Sequence, residues 1–154
     1  MPATAPDPRA PDKGRAVRGM FAAIAPRYDL LNRLLSMGLD QRWRRQMVQR
    51  LPPVERVSRV LDLCTGTGDV ALAMDSALGE GVVIHASDFC EEMVTLAPAK
   101  RARGASRPDF LVSDVLALPY ADQTFDAVTV AFGLRNVQDP VAGIAEMTGV
   151  LRPG

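Results

Sequence analysis

Short apolar runs alternate with segments of helical periodicity through the last two thirds of this chain. Four apolar runs occur, at 60–63, 82–86, 110–112 and 125–131. Runs this short, bounded by turn residues, are typical of strands buried on both faces of a sheet. Helical segments are predicted between and after them, at 70–78, 91–103 and 140–151, although Pro98 should kink or shorten the second. This alternation predicts an α/β fold with a parallel sheet and helices on both faces.

The front of the chain follows a different pattern. Its first residues are rich in proline and alanine and predict a disordered tail. Three helical segments follow, the second at 29–37 and the third at 41–51, with Asp29 and Asp40 as their predicted N-caps. We therefore divide the chain into three parts: a tail at 1–14, a helical cap or substrate lid at 15–55, and an α/β domain at 56–154.

The α/β part has only about four predicted strands, whereas sheets of this kind commonly contain more. The last residues, 152–154, have the composition of a turn into a further strand. We therefore expect this chain to be the front part of a longer protein, with its α/β domain incomplete at the C-terminal side.

The strongest local signal lies where the first predicted strand ends. The strand leads into Gly66, Thr67 and Gly68, and a helix is predicted to begin at about Asp69. Glycine lets the backbone approach a ligand closely, and a helix start offers free N–H groups and partial positive charge to an anion. The pattern predicts a nucleotide-cofactor site, with the turn at the cofactor's polar end.

Acidic residues stand at the ends of three successive predicted strands: Asp62, Asp88 and Asp114. Ligands of parallel sheets bind outside these carboxyl ends. Asp88 lies about twenty residues beyond Gly68, where a carboxylate can accept hydrogen bonds from ribose hydroxyls. Asp114 could reach an adenine amino group, and the backbone N–H of Val115 could bind a ring nitrogen.

The glycine turn also matches the dinucleotide pattern G-x-G-x-x-G/A, so an NAD(P)-dependent oxidoreductase is an alternative. That pattern does not require Asp62 before the turn or the Asp114–Val115 pair after the third strand. A phosphate-binding P-loop is excluded because the chain contains no Gly-Lys-Ser/Thr.

The net charge is zero, but the two parts of the chain carry opposite charges. Residues 1–60 contain twelve Lys or Arg and five acidic residues, and residues 61–154 contain six and thirteen, so the balances are +7 and −7. The basic front favours either a solvated helix face or contact with an anionic membrane surface. The two cysteines lack metal-ligand spacing, so we expect no metal site and a reduced, cytoplasmic protein.

Several motifs together resemble a known family. The segment 62–69, Asp-Leu-Cys-Thr-Gly-Thr-Gly-Asp, resembles motif I of class I S-adenosylmethionine-dependent methyltransferases. More narrowly, the chain resembles the C-methyltransferases of menaquinone and ubiquinone biosynthesis from about Lys13 to Gly154. The motifs that carry this resemblance are Met20-Phe21, Ile24-Ala25-x-x-Tyr28-Asp29-x-x-Asn32, Gly38-x-Asp40-x-x-Trp43-Arg44, Ala117-Leu118-Pro119-Tyr120 and Phe-Gly-Leu-Arg-Asn-Val at 132–137.

The resemblance implies a Rossmann-like class I methyltransferase fold and S-adenosylmethionine as cofactor. It implies cofactor contacts at Thr67, Asp88, Asp114 and Val115. It also implies methyl transfer to a ring carbon of a prenylated quinol, from demethylmenaquinol to menaquinol or the equivalent step toward ubiquinol.

An arginine is a poor base but can stabilise a phenolate or orient a water. Arg135 is therefore the expected catalytic residue, with Asn136 and Tyr28 as polar partners at the substrate ring. Three alternatives stay open: a non-catalytic fragment or cofactor-binding module, a methyltransferase for another small molecule, and the oxidoreductase. We expect no nucleic-acid partner; contact with the inner face of the membrane and a homo-oligomer are compatible with this interpretation.

Overall fold

The computed structural model describes residues 12–37, 39–53, 56–100 and 108–154. The strands are β1 (Arg59–Leu63), β2 (Val83–Asp88), β3 (Asp109–Val112) and β4 (Ala127–Val130). The α-helices are α1 (Lys13–Ile24), α2 (Tyr28–Leu35), α3 (Leu39–Val48), α4 (Asp69–Leu78), α5 (Glu91–Val94) and α6 (Pro140–Val150). Short 3₁₀ turns stand at Ala25–Arg27, Ala97–Lys100 and Leu134–Asn136.

The strands form one sheet in the order β3-β2-β1-β4, and all three pairs are parallel. Leu61 in β1 lies opposite His85 in β2 and Val128 in β4. Because every pair is parallel, all the carboxyl ends lie along one edge of the sheet. The chain builds outward from β1 to β3 and then returns to the other side of β1, which creates a topological switch point beside β1.

Strand β1 is buried on both faces. Val60 packs with Met74 of α4, and Leu61 and Leu63 pack on the opposite face with Met147 of α6. Burying one such side chain stabilises the fold by about 2 kcal/mol. The predicted parallel sheet with helices on both faces is confirmed, as are the helices that precede it.

Helix α1 begins at Lys13, inside the region predicted as tail, and residues 1–11 lie outside the described part. Lys13 is buried because its ammonium group donates to the carbonyls of Arg135 at 3.0 Å and Val137 at 2.8 Å. The start of the helical cap, defined here as α1 to α3, is thereby attached to the segment that follows β4.

The predicted N-caps of α2 and α3 are wrong. Asp29 and Asp40 lie within the first turns of these helices, because α2 starts one residue before Asp29 and α3 one residue before Asp40. The Asp29 carboxylate accepts the Thr67 hydroxyl, and the Asp40 carboxylate accepts the Ser36 hydroxyl. The helix predicted at 29–37 ends at Leu35, and residue 38 lies outside the described part.

In the described part of the segment predicted as a helix at 91–103, the short helix α5 is followed by a 3₁₀ turn at Ala97–Lys100. Pro98 lies in that turn, where its ring and missing N–H interrupt helical bonding, as predicted. Residues 101–107 lie outside the described part. Within the described ranges, no helix is both long and apolar enough to cross a bilayer.

Gly68 and Gly79 test crowding at the glycine turn. Gly68 is in the left-handed helical region, with φ +80° and ψ 11°, whereas Gly79 has φ +72° and ψ −171°, a combination that essentially only glycine adopts. A Cβ at Gly68 would lie 2.7 Å from Phe110 and 2.8 Å from Ala97, whereas none of the described atoms lies within 4 Å of one at Gly79. Gly79→Ala should cost about 1–3 kcal/mol of unfolding free energy from backbone strain alone. Gly68→Ala should cost about 1–2 kcal/mol from strain and a further 1–3 kcal/mol from overpacking. Urea denaturation measures both; a loss at Gly68 of no more than about 1–2 kcal/mol, the strain alone, would contradict the predicted crowding.

Candidate cofactor and active site

A cavity of about 560 Å³ opens along the carboxyl edge of the sheet under the helical cap. We call it the first cavity. Seven of the ten predicted site residues line it: Tyr28, Gly66, Asp88, Asp114, Val115, Arg135 and Asn136. They come from α2, the glycine turn, the ends of β2 and β3, and the turn after β4. The topology therefore brings together side chains that are up to about a hundred residues apart in sequence.

Asp88 is the buried acidic group at the end of β2. Its Oδ2 accepts the N–H of Gly66 and its Oδ1 that of Cys90, both at 2.9 Å. Burial raises the pKa of Asp88, although these N–H bonds oppose the shift. Each carboxylate oxygen has a second lone pair, so Asp88 can still accept hydrogen bonds from a ligand's hydroxyl groups.

The wall beside Asp114 has the groups that an adenine ring requires. Asp114 is exposed and its Oδ1 accepts the N–H of Leu116 at 3.0 Å, while Val115 is buried. The Ser113 hydroxyl is buried without a hydrogen-bond partner in the described structure, and Ser113 also lines the first cavity. Apolar side chains complete the wall: Met20, Phe21, Phe89, Met93 and Leu116. The residues present fit a nucleoside.

A second cavity, of about 370 Å³, lies between the glycine turn and helices α2 and α3. Asp62 and Thr67 line this second cavity and not the first. Seven residues line both cavities and form the wall between them, which we call the seam: Tyr28, Asn32, Cys64, Gly66, Ala131, Phe132 and Arg135.

Thr67 and Gly68 lie outside the first cavity, a position that the sequence did not predict. The Thr67 hydroxyl donates to Asp29 Oδ1 at 2.6 Å and accepts from Lys100 Nζ at 2.7 Å. Gly68 lines neither cavity, because Phe110 and Ala97 cover it. The structure therefore does not bring Thr67 and Gly68 into the cavity that holds Asp88 and Asp114.

The buried carboxylate of Asp62 links the glycine turn to β4 through hydrogen bonds. Its side chain accepts the hydroxyl of Thr65 at 2.6 Å and that of Thr129 at 2.8 Å, and the residue is only 1% exposed. Burial raises the pKa of Asp62 to about 6, against the two hydroxyl bonds that lower it, and the charge of Asp88 adds to the rise.

Four linked ion pairs lie between the helical cap and the start of α4, and two of them, Arg44–Asp69 and Asp29–Lys100, join the cap to the rest of the chain. Lys100 pairs with Asp29 and Asp69, both at 2.6 Å, and Arg44 pairs with Asp69 at 2.6 Å and Asp40 at 2.8 Å. We call these five residues the cap network. Ser36 also donates to Asp40, so that the Ser36 bond and the Arg44 charge hold the pKa of Asp40 below its usual value despite burial, which raises it.

Sequence reasoning missed the cap network. Arg44 belongs to a motif that carried the family resemblance, but its charge was interpreted as part of a basic face. Lys100 offered no local signal, because its partners lie about thirty residues or more away in sequence.

The seam contains two strained backbones. Cys64, after β1, and Phe132, after β4, have φ of +53° and +62°. A Cβ at Gly133 would lie 2.1 Å from that of Cys64, so only glycine allows these two segments of the backbone to approach so closely. Strain of this kind costs about 1–3 kcal/mol and concentrates at functional sites. Here these strained backbones place the turn that carries Arg135 against the end of β1.

Tyr28 reaches the seam because aromatic packing positions it. Its ring meets that of Phe21 edge-to-face, with centroids 5.9 Å apart. Both pack on a small core that includes Met93 of α5. The cap thus presents the Tyr28 ring beside Gly66, where a Cβ would be 3.8 Å from Tyr28 Cε1.

A model of the ubiE/COQ5 methyltransferase family matches residues 10–154. The chain belongs to this family. The Ubiquinone/menaquinone biosynthesis C-methyltransferase UbiE of Geobacter sulfurreducens is 49% identical over 148 residues, which cover 95% of this chain and 57% of that protein. The Demethylmenaquinone methyltransferase of Deinococcus radiodurans is 50% identical over 144 residues, covering 93% and 58%.

Among solved structures, a SAM-dependent methyltransferase from Aquifex aeolicus is 30% identical, with a TM-score of 0.57 over 62% of this chain and 52% of that chain. The Rossmann-like methyltransferase fold is thus confirmed for this ubiE/COQ5 family member, and the comparisons support S-adenosylmethionine as its predicted cofactor. They favour methyl transfer over the oxidoreductase alternative. The chain spans less than two thirds of the length of the two curated relatives.

The burial of Asp62 predicts a stability change with a definite sign. Its pKa is about 6 in the folded protein against 3.8 for an unperturbed aspartate, so the stability of the protonated form is lost as pH rises through about 6. Asp62→Asn should raise unfolding free energy at pH 8 by up to about 3 kcal/mol, and the gain should vanish near pH 4.

Asp126→Asn is the matched control for Asp62→Asn. The backbone N–H of Ser58 is the main cause of the lowered pKa of Asp126, with further help from Arg59 and Arg152. This substitution should therefore destabilise the protein at pH 8 by an amount that stays nearly constant down to about pH 4 and shrinks only below the unperturbed pKa of 3.8. Thermal melts from pH 4 to pH 8 measure both; a pH-independent effect at Asp62 would refute the buried-carboxyl account.

Proposed function

We propose that this protein transfers a methyl group from S-adenosylmethionine to a ring carbon of a prenylated quinol, as in the step from demethylmenaquinol to menaquinol or its ubiquinol-pathway equivalent. The observation that carries the proposal is the position of Arg135 and Tyr28 in the seam, beside a cavity with groups suited to a nucleoside. The names of the curated relatives support the quinol as acceptor.

The cofactor supplies an electrophilic methyl group when it is bound. The chain then has to hold the acceptor in line and make its ring carbon nucleophilic, which requires loss of a quinol proton. Asp88, Asp114 and Val115 hold the adenosine end, and the cap covers the site from water.

Arg135 has the chemistry to stabilise the acceptor's phenolate oxygen. A guanidinium stays protonated at physiological pH, so it acts as a fixed positive donor and not as the base. The 3₁₀ turn Leu134–Asn136 holds it beside Asn136, and Lys13 fixes that turn through the carbonyl of Arg135. Tyr28 and Asn136 are the polar partners for the ring's oxygens.

We also propose that the protein is cytoplasmic and contacts the inner face of the membrane through its cap. Large apolar side chains of α2, α3 and the link between them are exposed, Leu35 at 82%. The others are Leu30, Leu31, Leu34, Met37, Leu39 and Trp43. Exposed arginines stand among them at 27, 33 and 42. Apolar residues flanked by cations suit an anionic lipid surface, where a prenylated substrate resides.

Removing the Arg135 guanidinium tests the catalytic assignment. Arg135→Gln should lower methyl transfer to a demethylated quinol by about 100-fold or more, since a lost charge-stabilising donor typically costs that much. Affinity for S-adenosylhomocysteine, measured by calorimetry, should change little. Arg56→Gln, an exposed substitution outside both cavities, is the control. Unchanged turnover in Arg135→Gln would remove Arg135 from the mechanism.

Vesicle sedimentation tests the membrane contact. Leu35→Asp should reduce binding to vesicles of phosphatidylcholine and phosphatidylglycerol, because it places a charge on the inserting face. Val141→Asp, at a position 78% exposed on α6, should not reduce it. Binding should weaken with added salt and on vesicles of phosphatidylcholine alone. Equal losses in both variants would contradict this orientation.

A further inference from the structure

An exposed apolar rim lies at the mouth of the second cavity. Leu35 of α2, Trp43 of α3 and Phe132 after β4 line that cavity, although they are 82%, 45% and 60% exposed. Asp62 and Thr67 line the same cavity but are almost fully buried, so they belong to its interior. We call Leu35, Trp43 and Phe132 the apolar rim.

Two aromatic rings of the rim connect the cap to the segment after β4. The ring centroids of Trp43 and Phe132 are 5.7 Å apart, with an angle of 51° between the ring planes. Both side chains stay about half exposed, so their mutual contact does not bury them. Large aromatic side chains contribute most free energy when an apolar partner covers them. The pair therefore offers an open apolar surface to a ligand.

Backbone strain holds the Phe132 ring at this position. Its φ is +62°, in a region that is unfavourable for a bulky side chain. The next residue, Gly133, is fixed beside Cys64, where no Cβ would fit. Strain of this kind concentrates at ligand-binding and catalytic sites. We therefore interpret the exposed Phe132 ring as part of a binding site and not as a packing residue.

The rim connects two surfaces that the proposed function already uses. Phe132 also lines the first cavity and belongs to the seam, as Arg135 does. Leu35 and Trp43 belong to the exposed apolar face of the cap that is proposed to contact lipid. A ligand with a polar ring beside Arg135 and an apolar chain extending to the lipid would therefore pass over the rim.

We propose that the apolar rim binds the first isoprene unit of the acceptor's prenyl chain, and that Trp43 and Phe132 thereby select prenylated over unsubstituted quinols. This inference rests on the proposed function. The quinol ring is a poorer occupant of the rim, because its two oxygens need hydrogen-bond partners and the rim side chains offer only the Trp43 indole N–H. The polar partners for that ring, Arg135 and Tyr28, stand in the seam.

The test compares two acceptors that differ by one isoprene unit, 1,4-naphthoquinol and 2-(3-methylbut-2-enyl)-1,4-naphthoquinol, both kept reduced under anaerobic conditions. Calorimetry on the unmodified protein should show the prenylated quinol binding about 10- to 100-fold more tightly, the gain expected from partial burial of an isoprene unit. In Trp43→Ala and in Phe132→Ala this ratio of affinities should fall to roughly one to five, because the chain has lost one wall of its site.

Leu30→Ala is the matched control, because Leu30 is exposed on the same cap but lines neither cavity. It should leave the ratio unchanged. Phe132→Leu keeps an apolar side chain and should retain most of the ratio. Should Phe132→Ala fail to fold, Phe132→Asn must show the same fall in the ratio, since asparagine tolerates a positive φ and offers little apolar surface to an isoprene unit.

The ratio separates binding of the prenyl chain from support of the fold. If Trp43 and Phe132 only pack against each other or against another part of the protein, their variants weaken both quinols equally. The ratio then keeps its original value, which overturns the inference. An equal fall in Leu30→Ala would indicate general apolar adsorption and would also overturn it.

Failure of the inference differs from failure of the proposed function. If the unmodified protein binds both quinols equally well, the ring assignment stands and the assignment of the rim is wrong. If it binds neither these quinols nor the corresponding benzoquinols, the acceptor assignment is wrong and the inference is wrong with it.

Discussion

The central position of β1 in an all-parallel sheet determines where this protein can bind a ligand. With β2 on one side and β4 on the other, the chain leaves β1 at the point where the strand order reverses, and a crevice opens there. Leu61 and Leu63 are buried on one face and Val60 on the other, so the end of the strand has little freedom. The glycine turn, the acidic strand ends and the turn carrying Arg135 all converge on this crevice.

Two kinds of interaction hold the helical cap over that crevice, and they contribute differently. Apolar packing of Phe21 and Tyr28 against Met93 supplies most of the stabilisation, since one buried side chain contributes about 2 kcal/mol. Partly exposed ion pairs such as those of Arg44 and Lys100 contribute roughly 0–1 kcal/mol each. Their importance is positional, because they fix α2 and α3 over the start of α4 while the leucines of α2 face outward.

Sequence patterns predicted the strands, the glycine turn and the cavity residues Asp88 and Asp114, because these depend on short apolar runs and on where strands end. The local sequence could not decide whether Asp29 and Asp40 are N-caps, because a carboxylate near a helix start can accept helix N–H groups or pair with a distant cation equally well. Here Asp29 pairs with Lys100, and Asp40 pairs with Arg44. The division of the site into two cavities, with Thr67 in the second, depends on how α2 and α3 dock, which no local pattern encodes.

The first cavity is expected to hold the adenosyl donor with its reactive sulfur at the seam, beside Arg135. The most direct measurement is a crystal structure of the protein with S-adenosylhomocysteine. We expect its adenosine beside Asp88 and Asp114 and its sulfur at the seam near Arg135. A ligand whose adenosine lies away from Asp88 and Asp114, or whose sulfur lies away from the seam, would contradict this proposal.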